Sequence, residues 1–144
     1  MRPFDILIAE DNEDDILLIR EAFETVNMTN RVAVVRDGAE AMAYLRGEGP
    51  FSQCPLPGMV LLDINMPKKT GLEVLEEIKS DPRFRAIPVV ILTVSEREED
   101  IVRSFEKGAC SYIRKPVTFT RFIAVVKEFE LYWTLVSKVP TLKR

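Results

Sequence analysis

The chain has 144 residues, 47% of them hydrophobic and 30% charged, which is the length and balance of one globular domain able to bury roughly two-thirds of its unfolded surface. Its 20 basic and 23 acidic side chains leave a net charge of -3, so it lacks the basic face that general nucleic-acid binding needs. The absence of histidine excludes His-ligated metals, Ser-His or Cys-His catalysis and a histidine phosphocarrier role. Cys54 and Cys110 form no CxxC pair and read as packing residues in a reducing cytoplasm. No apolar run approaches the roughly 18 residues of a membrane span, and the acidic N-terminus does not read as a signal peptide.

In chain order, FDILIA (4–9) predicts a short strand. EDDILLIREAFETV after it predicts a helix, with Ile16, Ile19, Phe23 and Val26 at helical spacing and acidic residues in the first turn. RVAVVR (31–36) predicts a second strand, AEAMAYLR a short helix, and the Gly- and Pro-rich GEGPFSQCPLPG a surface loop. MVLLD (59–63) is the third strand and GLEVLEEIKS the third helix, stopped by Asp81 and Pro82. IPVVILTV (87–94) is the fourth strand. EREEDIVRSFEKG predicts a fourth helix with a solvated charged face and Gly108 as its C-cap, and ACSYIRKP a fifth strand ending at Pro116. A last helix runs from near Thr118 to about Ser137, giving one domain over 1–144 with a core of 4–137 and a short tail, 138–144. Continuous apolar strands alternating with amphipathic helices mean a doubly wound, five-stranded parallel α/β sheet covered on both faces.

Open sheets of this kind carry their sites outside the carboxyl ends of the strands. Strand one ends in Glu10 and Asp11, strand three in Asp63, strand four in Thr93 and strand five in Lys115. Three carboxylates brought together cannot all stay ionised without a cation. Mg²⁺, which takes one or two carboxylates, waters and phosphate oxygens, suits Glu10, Asp11 and Asp63, with the backbone carbonyl of Asn65 as a further oxygen. Lys115 supplies a fixed charge for an anion and Thr93 a hydroxyl donor. The set fits phosphoryl transfer to Asp63 as nucleophile.

EDNED (10–14), LLDINMPKKTG (61–71), ILTVS (91–95) and YIRKP (112–116) together resemble the receiver domain of bacterial two-component response regulators, the CheY-like family. The resemblance covers nearly the whole chain and rests on four motifs in order and spacing. It implies the flavodoxin-like strand order 2-1-3-4-5, Asp63 as phosphoacceptor, Glu10 and Asp11 as the acidic pair for Mg²⁺, and Asn65 as a backbone-carbonyl ligand. It also implies Thr93 as switch hydroxyl, Tyr112 as aromatic switch residue, and Lys115 ahead of a cis-proline. AEDNEDD, RDGAEAMAYLRGEG, EVLEEIK and KPVTFTRF are similar to stand-alone regulators paired with bacterial phytochromes, so the implied partner is a sensor histidine kinase of that kind. Val94 departs from the smaller residue that many members carry after the switch threonine, and its bulk is expected to crowd the phosphoryl site.

Lys68 and Lys69 read as solvated turn charges. On the last helix, Phe119, Phe122, Ile123, Val126, Phe129, Trp133 and Val136 form a core stripe, while Leu131, Tyr132 and Leu135 fall on the other side. Apolar on two faces, that end predicts a homodimer through the fourth helix, fifth strand and fifth helix. Output is then expected by protein binding, not DNA binding. A phosphatase of the haloacid dehalogenase type is a rival, but it needs a second acid where Asn65 stands. A flavodoxin-like FMN carrier is another, but the acidic turn after strand one lacks a phosphate-binding loop. A pseudo-receiver is disfavoured by the intact acid cluster.

Overall fold

The computed structural model describes residues 5–24, 30–103 and 110–128. Runs of Val, Ile and Leu with no polar alternation can sit only where both faces are covered. Accordingly β1 (Ile6–Ala9), β3 (Met59–Asp63) and β4 (Val89–Thr93) are buried at every position. With β2 (Val32–Val35) and β5 (Cys110–Arg114) they make one parallel sheet in the order β2-β1-β3-β4-β5. The order implied by the receiver resemblance is therefore the observed one.

Alternate residues divide the core into two layers. Leu7, Ala9, Val60, Leu62, Val89 and Ile91 pack with α2 (Gly38–Arg46) and α3 (Gly71–Ser80), through Ala41, Met42, Leu45, Val74, Leu75 and Ile78. On the opposite face, Ile6, Ile8, Met59, Leu61, Val90 and Leu92 meet α1 (Glu13–Glu24) and α5 (Phe119–Glu128). Phe23 and Phe122 join those two helices with ring centroids 4.6 Å apart. The fourth helix, α4 (Glu96–Arg103), lies against β4 and β5.

Local signals set the helix ends. Asp37 caps α2 by accepting from the Glu40 N–H at 2.7 Å, and Gly47 closes it in the left-handed region with φ 68°. A reciprocal capping box between Thr70 and Glu73 starts α3, which stops at Ser80 as expected from Asp81 and Pro82. Two expectations are adjusted. Four of the observed strands are shorter than the apolar runs, because pairing stops before their ends, while β3 spans Met59–Asp63 as expected. The 47–58 segment contains a short 3₁₀ turn, Gly49–Phe51, that sets Phe51 against Tyr44 with centroids 5.3 Å apart. Val26, the Gly108 cap and the last helix beyond Glu128, with Leu131, Tyr132 and Leu135, lie outside the described residues. Among the described residues no helix is long and apolar enough to cross a membrane.

Candidate functional site

Because all five strands are parallel, their carboxyl ends share one edge, and the groups that follow them converge there. The Glu10 N–H continues the sheet by donating to Val35, and the Lys115 N–H does the same to Thr93 at 2.8 Å. The peptide between Lys115 and Pro116 is cis, as the resemblance implied. Asn12 shapes the first turn: its N–H donates to Glu10 Oε2 at 3.1 Å, while its side-chain oxygen accepts from the Asp15 N–H at 3.0 Å and caps α1.

The Lys115 ammonium sits among three carboxylates, 2.8 Å from Asp15 Oδ2, 2.9 Å from Glu10 Oε1 and 3.1 Å from Asp63 Oδ1. Glu10 and Asp63 are buried, Asp63 at 3% exposure, whereas Asp11 lies at the surface. Burial pushes the carboxyl groups of Glu10 and Asp63 above the usual carboxylate range, with Lys115 pulling both back. Burial disfavours the charge on Lys115, but hydrogen bonds to Asp15 and Glu10 and the charge on Asp63 overcome it and hold the ammonium protonated above its ordinary range.

One cation faces four acids, so the pocket carries excess negative charge. One oxygen each from Glu10, Asp11 and Asp63 lies within 4.8 Å of the others. Glu10 Oε1 is buried and lies 2.9 Å from the Lys115 ammonium. An all-carboxylate donor set in a pocket with excess acids fits a hard divalent cation. Thr93 is wholly buried and its hydroxyl has no hydrogen-bond partner among the described residues. Leaving a hydroxyl unpaired costs about 1–3 kcal/mol, so an acceptor arriving beside it would be stabilised. Tyr112 is half-buried on β5, opposite Ile91 and three residues before Lys115.

The structure thus brings together Glu10, Asp11, Asp63, Thr93 and Lys115, with Asn65 in the turn that follows Asp63. It also corrects several sequence readings. Asp15, read only as a charge in the first helical turn, contacts Lys115 as closely as any partner. The run 96–107 is not simply a solvated face: Glu99 is buried and pairs with Arg114 at 2.7 Å, and Glu98 accepts from both the Val94 N–H and the Asn65 side chain. Lys69 is half-buried and paired with Glu77, whereas Lys68 is exposed as expected, 3.6 Å from Asp37. Val94 is 56% exposed, so its bulk is turned largely to solvent instead of crowding Asp63. Neither Asp15, five residues after Glu10 in the first turn of α1, nor Glu98 carries a distinct signal, since an acid in a first helical turn already has a local reason to be there.

Residues 6–127 match the family described as "Response regulator receiver domain". Response regulator Rcp1 of Synechocystis sp. is 37% identical over 135 residues, covering 94% of this chain and 92% of that protein. Its Mn²⁺-bound crystal form aligns with a TM-score of 0.74 over 99% of this chain and 100% of that one. The bacteriophytochrome response regulator RtBRR aligns with a TM-score of 0.86 at 40% identity, over 98% and 86% of the two chains. A probable methanogenesis regulatory protein, FilR2 of Methanothrix harundinacea, is 45% identical over 132 residues, or 91% of this chain and 84% of that protein.

Proposed function

We propose, because this chain belongs to the response regulator receiver domain family, that it accepts a phosphoryl group on Asp63 from a partner histidine kinase and switches a protein-binding surface in response. The observation that carries this reading is the Lys115 ammonium 3.1 Å from Asp63 in a pocket shared with Glu10 and Asp11. An Asp63 oxygen attacks the phosphorus of a phosphohistidine in line. The new O–P bond forms as the N–P bond breaks, and the leaving imidazole keeps the bonding pair and takes a proton from solvent. Lys115 stabilises charge on the transferring oxygens, and the unpartnered Thr93 hydroxyl donates to one of them. Glu10, Asp11, Asp63 and the Asn65 carbonyl would hold Mg²⁺, which supplies charge neutralisation.

The same groups assist uptake and loss of the phosphoryl group, so the chain is a self-assisting phosphoacceptor and not a dedicated enzyme. Thr93 moving toward the phosphoryl group vacates space for Tyr112 to turn inward, changing the surface of α4, β5 and α5. We read residues 4–137 as one cytoplasmic receiver unit that dimerises through that surface, with Leu131, Tyr132 and Leu135 contributing. The similarity to RtBRR and Rcp1 supports a phytochrome-type kinase as donor; FilR2 supports a different regulatory output, and phosphotransfer from a purified phytochrome kinase under red and far-red light separates the two.

Incubating the protein with a small acyl phosphate and Mg²⁺ is expected to add the mass of one phosphoryl group. Chelation of the divalent ion should slow the gain at least about tenfold, the low end of what transition-state charge stabilisation contributes. No gain of mass with Mg²⁺ present would overturn the proposal.

A further inference from the structure

Two turns flank Asp63 at the open edge of the sheet: the one leaving β3 through Asn65, and the one leaving β4 through Val94. Asp63 pairs in register with Leu92, so anything attached to its carboxylate projects past the strand end, level with Thr93 and Val94. The Asn65 N–H already donates to the Asp63 carboxylate. One side chain ties these turns together. Glu98, in the first turn of α4, accepts from the Val94 N–H at 2.8 Å with one oxygen and from the Asn65 side-chain amide at 3.1 Å with the other. Its own N–H donates to the Ser95 hydroxyl at 3.2 Å, fixing that turn to the end of β4.

Resting on the phosphorylation reading above, we propose that Glu98 restrains that reaction: its carboxylate stands in for the phosphoryl oxygens on the donors that border Asp63. A phosphoryl dianion on Asp63 and the Glu98 carboxylate are like charges drawn to the same edge, and the better-placed one displaces the other. Glu98 therefore opposes uptake of the phosphoryl group, and its displacement releases the first turn of α4 from both turns. This supplies a direct link from Asp63 to α4 that does not pass through Thr93 or Tyr112.

The test compares uptake from a small acyl phosphate with Mg²⁺ in the parent, Glu98→Ala, Glu98→Gln and Glu96→Ala, read by intact mass against time. Glu96 is an exposed acid in the same turn and controls for charge alone. Uptake is expected to be about tenfold faster in Glu98→Ala, the low end for one displaced charge-assisted hydrogen bond, and intermediate in Glu98→Gln, which keeps an acceptor for Val94. Backbone amide exchange at the start of α4 should rise on phosphorylation of the parent and already be raised in unphosphorylated Glu98→Ala. Equal uptake in parent and both Glu98 variants, or an acceleration no greater than in Glu96→Ala, overturns the role of Glu98 while leaving phosphorylation intact. A parent that takes no label overturns the phosphorylation reading, and this inference with it.

Discussion

Asp63→Asn is expected to take no phosphoryl label and, without divalent metal at neutral pH, to melt above the parent protein. The amide keeps the shape of the side chain and removes both the nucleophile and the charge. Burial raises the Asp63 carboxyl above its usual range more than Lys115 lowers it, so the ionised group is a net cost to the fold. A carboxyl bound to its proton more tightly in the folded than in the unfolded state loses stability as pH rises through the interval above the ordinary value of 3.8. The unfolded state is ionised at neutral pH, so the cost is present there. The advantage of asparagine should shrink as pH falls and vanish below the ordinary value of 3.8, where the wild-type group is neutral in both states. Lys115 keeps Glu10 and Asp15 as partners, so the substitution does not strand its charge. A relief of about 1 kcal/mol corresponds to roughly 2–4 °C at this chain length. Saturating Mg²⁺ should narrow the gap by binding the parent's carboxylates in the folded state. Melting curves with and without metal at two pH values read the effect. An Asp63→Asn protein that melts lower at neutral pH without metal would mean that the pair with Lys115 outweighs burial, and label on that variant would move the phosphoacceptor elsewhere.

The same balance explains what could be read from the sequence. Strands such as MVLLD are legible because continuous apolar side chains have no other stable place, and a polar residue ending each strand then falls on one edge by topology alone. The strand order is not contained in periodicity; it came from the resemblance of four motifs to a known family. Asp15 and Glu98 escaped notice for a common reason. Each is an acid in a first helical turn, where the helix dipole already accounts for it, and only the folded chain shows that one reaches Lys115 and the other Val94 and Asn65. A turn lysine is usually solvated, and the pairing of Lys69 with Glu77 depends on the path of α3, which the sequence does not show. Val94 was judged by size, but the direction of its side chain decides whether it crowds Asp63, and that is a property of the β4 to α4 turn.

In the sequence Gly71 only opens the third helix, and its actual constraint leads to the other large expected effect. It is buried at the first position of α3, and its N–H donates to the Ile64 carbonyl at 2.8 Å, closing the turn that begins at Asp63. A Cβ there would lie 2.2 Å from the Asp63 carbonyl oxygen and 2.8 Å from Ile64 Cα. Both are backbone atoms that cannot rotate away. The requirement is therefore close approach and not an unusual φ. Gly71→Ala should force α3 away from the end of β3 at a cost of about 3 kcal/mol, the upper range for overpacking a filled site, or roughly 6–12 °C in melting temperature. Because the displaced atom belongs to Asp63, the carboxylate should also shift from Lys115, and phosphoryl uptake should fall even at temperatures where the variant is folded. Gly49→Ala is the informative contrast. Its Cβ would meet nothing within 4 Å, and only its positive φ of 56° opposes a side chain, so it should cost about 1 kcal/mol and leave uptake unchanged. Equal melting temperatures for Gly71→Ala and Gly49→Ala would show that the turn after Asp63 can yield, and unchanged uptake in a destabilised Gly71→Ala would show that Asp63 does not depend on the seat of α3.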